Sequence, residues 1–81
     1  MKEKEIMELG KQVKFFGTVH SSLFAKNGEL MARMYKCKYT YGYLYAIFVY
    51  FDDVPEKLIQ VTSTEMNAVD RMIEITGQLA A

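Results

Sequence analysis

At 81 residues, with 51% hydrophobic and 25% charged side chains, the chain has room for a single domain spanning 1–81 with a thin core, and this composition excludes disorder. The formal charge is zero but unevenly spread: residues 1 to 38 carry eight lysines and arginines against four glutamates, and the remainder carries the opposite excess. One cysteine, Cys37, excludes an internal disulfide framework and a four-cysteine zinc site, while the charged opening MKEKEIMELG and the shortness of every apolar run exclude a signal core and a membrane span, so a cytoplasmic protein is expected.

The first element in chain order is a short helix over residues 2 to 11, with Ile6, Leu9 and Val13 at helical spacing among Glu and Lys and Gly10 as its stop. The following stretch, VKFFGTVHSSLFAK, admits two readings. Ile6, Leu9, Val13, Phe16 and Leu23 continue a helical stripe, whereas GTVHSS consists of poor helix formers, and Val13, Phe15, Val19 and Leu23 fit one face of a strand. Asn27-Gly28 favours the strand, because this pair suits a type I′ hairpin turn with positive φ at both central residues. The matching register sets Lys26 opposite Glu29, Phe24 opposite Met31, His20 opposite Tyr35 and Phe16 opposite Tyr39. In the rival reading, Asn27-Gly28 caps one long helix.

Strands are expected over 29 to 40 and 43 to 52, joined at Tyr41-Gly42. All six tyrosines lie between Tyr35 and Tyr50. On the second strand, Tyr43, Tyr45, Ile47, Val49 and Phe51 share one face, and Leu44, Ala46, Phe48 and Tyr50 share the other. A strand that is apolar on both sides is one covered on both sides, which accounts for most of the tyrosine cluster without a ligand. Val54-Pro55-Glu56-Lys57 has the form of a type I turn leading to a short edge strand, KLIQV. Thr62 and Glu65 then form a capping box for a helix with a stripe of Met66, Val69, Met72, Ile73 and Leu79, ended by Gly77. The class is α+β: N-terminal helix, antiparallel meander of three to four strands, C-terminal helix.

The chemistry is sparse. His20, the single histidine, has no nucleophile or carboxylate at a dictated spacing, and Cys37 on a strand points away from Lys36 and Lys38, so both read as structural. Asp52, Asp53 and Glu56 lack the order of a calcium loop and read as a solvated turn, and no phosphate-cradling loop or catalytic motif is present. Neither a metal nor a cofactor is expected, and the enzyme class is disfavoured. Helix, strands, helix is also the order of the double-stranded RNA-binding domain, which reads RNA with lysines at the start of its last helix. Here STEMNAVDR places Glu65 and Asp70 there, where phosphate is repelled.

Two functional expectations follow. The first is a non-enzymatic protein-interaction module, a homo-oligomer that binds and blocks or adapts another macromolecule, in the style of small phage or mobile-element inhibitors by analogy of size alone. Its subunit interface is expected on the sheet face of Ala32, Met34, Ile47, Val49 and Phe51, which two short helices were not expected to cover along with the opposite face. The second is a nucleic-acid or small-nucleotide binder using Lys36, Lys38, Tyr43 and Tyr45, which share a sheet face if Tyr41-Gly42 is a two-residue turn.

Overall fold

A computed structural model of the protein describes residues 3–51 and 54–80, with side chains for 3–50 and 56–75. Helix α1 (Glu3–Phe16) is followed by strands β1 (Thr18–Phe24), β2 (Leu30–Tyr39), β3 (Gly42–Phe51) and β4 (Val54–Thr62), and by helix α2 (Glu65–Ala80). The strands form one antiparallel sheet in chain order, β1-β2-β3-β4. The α+β meander expected from the sequence is therefore the observed fold.

Helix α1 runs one and a half turns past Gly10, which is buried within it. A side chain at Gly10 would collide with Leu58 of β4, so this glycine marks where the helix approaches the sheet. The helix ends instead at Gly17, whose amide donates to the Val13 carbonyl at 2.9 Å. Val13 to Phe16 are thus helical, and the sequence from Thr18 is extended. Glu3 and Glu5 in the first turn and Lys14 in the last complement the helix dipole.

The β1-β2 hairpin forms, but not with a type I′ turn. Gly28 alone has positive φ, at 90°, and Asn27 does not. The Gly28 amide donates to the Ala25 carbonyl, and the Asn27 side-chain oxygen accepts from the Glu29 amide at 3.0 Å. The loop is therefore longer than two residues, with a left-handed glycine after the turn. Ser22 pairs with Arg33 and Leu23 with Ala32, as expected from the sequence register. Beyond them irregularities shift the pairing: Val19, not His20, lies opposite Tyr35, and His20 is the unmatched residue of a bulge.

At the next turn, Tyr39 pairs with Gly42, so the two loop residues are Thr40 and Tyr41 rather than Tyr41 and Gly42, a shift of pairing by two residues that leaves each side chain on its expected face. Val54 to Lys57 belong to β4 rather than to a turn, and Pro55 sits in an edge strand beside an irregularity in its pairing with β3, the setting in which a sheet tolerates proline. Asp52 and Asp53 lie outside the described residues.

The two helices cover opposite faces of the sheet. On one, Val13 of α1 packs with Tyr35, Ala46 and Phe48. On the other, Ala68, Met72 and Ile75 of α2 pack with Ala32, Met34, Tyr45, Ile47 and Val49. This is the physical reason β3 is apolar on both faces. It also corrects the expected interface: Ala32, Met34, Ile47 and Val49 are buried beneath the chain's own α2, so a second subunit has no access to them in this fold. Phe51, the fifth residue of that expectation, has no described side chain.

Candidate functional site

Because Lys38 pairs with Tyr43 and Lys36 with Tyr45, all four residues lie on the α2 face of the sheet, at the end that α2 leaves open. The Lys36 ammonium stands 4.2 Å from the centre of the Tyr43 ring and 5.9 Å from that of Tyr45, a cation–π arrangement. Tyr43 and Lys38 are exposed, and Lys36 is half-buried. Tyr45 belongs to the core, so its ring is not available to a ligand. The site also gains residues that the strand pattern did not assign to it: Phe16, Gly17 and Thr18, at the junction of α1 and β1, join Lys36, Cys37, Lys38 and Tyr43 around an open depression of about 390 Å³. Gly17 permits this junction, since a Cβ there would overlap the Lys36 carbonyl oxygen.

Beside this end of the sheet, the bulge turns His20 onto the α2 face. Its Nε2 lies 3.1 Å from the Glu65 carboxylate, its Nδ1 lies 3.2 Å from the Ser21 hydroxyl, and its ring packs edge-on against Tyr45 at 5.9 Å. Glu65 was expected to complete a capping box with Thr62. Instead, Thr62 ends β4 and its hydroxyl accepts from the Thr64 amide at 3.4 Å, while Glu65 ties the start of α2 to β1. Local spacing gives no signal for a pair 45 residues apart.

On the α1 face, Lys14 forms an ion pair with Glu56 and lies 5.5 Å from the Phe48 ring. The Tyr50 hydroxyl lies 3.5 Å from that of Tyr35. Burial, then the hydrogen bond with Tyr35, then the nearby Glu56 charge, hold the Tyr50 phenol well above the ordinary tyrosine range. The half-buried Cys37 packs against this same cluster, away from the lysines, as its strand position implies.

Exposed apolar surface lies on both helices. Among the described residues the buried stripe of α2 is Ala68, Met72 and Ile75, so of the expected stripe Met72 is buried and Met66, Val69 and Ile73 are not, and the side chain of Leu79 lies outside the described residues. Met66 and Ile73 are 76% and 65% exposed, and Val69 also reaches solvent. On α1, Met7 and Phe15 are exposed, Phe15 at 82%. No protein-family model, no curated protein and no solved structure matches this chain. Among the described residues, no helix is long and apolar enough to cross a membrane.

Proposed function

We propose that this protein is a small non-enzymatic interaction module that self-associates and, in that form, binds and blocks or adapts another macromolecule. The observation that carries this reading is the outward row on α2, where Met66, Val69 and Ile73 face solvent after the helix has already buried a separate stripe in the core. An apolar row on the solvent side of a helix adds nothing to the stability of one chain. It is the surface a partner helix needs. Methionine suits such a contact because its unbranched side chain adapts to different shapes.

Sedimentation velocity over a concentration series tests this directly. The weight-average mass is expected to rise with concentration, and Ile73→Asp is expected to abolish that rise while preserving the circular dichroism spectrum. A wild-type monomer at every concentration contradicts the reading.

A second reading rests on the Lys36–Tyr43 arrangement. Two lysines beside exposed Tyr43 and Phe16 supply positive charge and ring faces, the combination that holds single-stranded nucleic acid. Lys36 must leave the Tyr43 ring before a base can stack on that face. A labelled oligonucleotide should bind at low salt, release as salt rises, and lose affinity in Lys36→Glu with Lys38→Glu. No binding at low salt removes this reading.

A further inference from the structure

Self-association requires that the α2 row meet some surface of a second copy, and the charges beside it restrict which. The row carries Asp70, exposed and without a partner among the described residues, and α2 has a further acidic residue at Glu74 whose arginine neighbour, Arg71, is already paired with it at 3.0 Å. Two α2 rows packed on each other would set Asp70 against the acidic surface of the same helix in the other copy. Like charges brought together oppose that pairing. On the opposite side of the sheet, α1 presents Met7 and Phe15 to solvent with Glu8 and Lys11 between them, Lys11 at the middle. Lys11 is also exposed and has no ion-pair partner among the described residues.

The two rows match in length. At 1.5 Å per residue, Met7 to Phe15 spans about 12 Å and Met66 to Ile73 about 10 Å. In each, a charge lies near the middle, so Lys11 meets Asp70 when the apolar ends overlap, while Glu8, exposed at the Met7 end of the α1 row, lies about a turn away from that pair. Resting on the interaction-module reading above, we infer that the partner is a second copy bound head to tail, the outer face of α1 in one copy packing on the outer face of α2 in the next. Since the sheet separates the two faces within each chain, one copy has both faces available at once. A contact between two different faces is heterologous, and it grows into a ring or an open chain rather than closing as a two-fold dimer.

The test uses two substitutions at exposed positions, Phe15→Asp to disable the α1 face and Ile73→Asp to disable the α2 face, with circular dichroism to verify folding. Each variant alone is expected to be a monomer by sedimentation velocity, because every copy lacks the same face. Mixed in equal amounts, they retain one working α1 face and one working α2 face between them, and a heterodimer that grows no further is expected. A charge-based pair checks the same contact without altering the apolar residues: Lys11→Glu and Asp70→Lys should each weaken assembly, and the chain carrying both should recover it. If Phe15→Asp still assembles like the wild type, or if the mixture stays monomeric while the wild type assembles, the head-to-tail contact is wrong and the interaction-module reading survives. A monomeric wild type overturns both.

Discussion

Gly17 joins α1 to β1 with no intervening loop, which is possible only because it has no side chain. A Cβ there would overlap the Lys36 carbonyl oxygen of β2, a backbone atom held by its own strand. Gly17→Ala is therefore expected to destabilise the domain by about 2 kcal/mol, the scale of overpacking in a site that cannot relax. Urea unfolding followed by circular dichroism measures this, and an unchanged midpoint would contradict it. Tyr50 gives a second prediction at the same scale. Its folded phenol is held above the unfolded value of 10.0, chiefly by burial. Above that value the unfolded chain releases this proton while the folded chain keeps it, so the Tyr50 contribution to stability is complete below pH 10 and is lost progressively as pH rises beyond it. Unfolding midpoints at about pH 8 and about pH 11 should differ less in Tyr50→Phe than in the wild type. An equal fall in both would exclude Tyr50 as a source.

At the scale of elements, the placement of α2 determines what a charge on the sheet does. Val49 is buried beneath Ala68, Met72 and Ile75, so Val49→Asp puts a carboxylate into an apolar layer, where its desolvation is costly even with Lys57 opposite on β4. The expected result is an unfolded chain at every concentration, read by circular dichroism and sedimentation. A folded monomer would mean that α2 is not needed over Val49. The sequence had supported the opposite expectation, that a second subunit covers this face, and the reason lies in what spacing reports. Alternation along residues 43 to 51 establishes that both faces of β3 are covered, but not by what. The stripe of α2 was similarly ambiguous: Met66, Val69, Met72 and Ile73 all suit one broad helical face, and only docking on the sheet separates buried Met72 from exposed Met66 and Ile73. Asn27-Gly28 was a correct hairpin signal with the wrong turn type, since Asn27 gains a local hydrogen bond to the Glu29 amide without positive φ. The shared face of Lys36, Lys38 and Tyr43 was legible because strand periodicity is strict. The contributions of Phe16 and Gly17 were not, because they depend on where α1 ends.

At the scale of the whole molecule, the imbalance of charge along the sequence falls on particular elements, β2 among the strands and α2 between the helices, rather than grading across the sheet. Lysines and glutamates balance on α1 (Lys4, Lys11 and Lys14 against Glu3, Glu5 and Glu8), β2 carries Arg33, Lys36 and Lys38, β4 sets Glu56 against Lys57, and α2 sets Glu65, Asp70 and Glu74 against Arg71. The sign of a contact between copies is set locally, by Lys11 on α1 and Asp70 on α2, and salt can reveal it. If α1 of one copy meets α2 of the next, Lys11 and Asp70 attract, and added salt screens an attraction. If α2 meets α2, acid faces acid, and added salt screens a repulsion. At about 0.1 M ionic strength, charges interact over roughly 10 Å, and at 1 M over about 3 Å. An exposed ion pair contributes on the order of 0.2–1 kcal/mol. Raising salt from about 0.05 M to about 0.5 M should thus weaken head-to-tail assembly by at most about five-fold, without dissolving its apolar part. The same titration on the Lys11→Glu chain should reverse direction, because glutamate then faces Asp70. Assembly of the wild type that tightens with salt would identify the α2 pair as the contact, and a Lys11→Glu chain with the wild-type salt response would remove Lys11 from the interface.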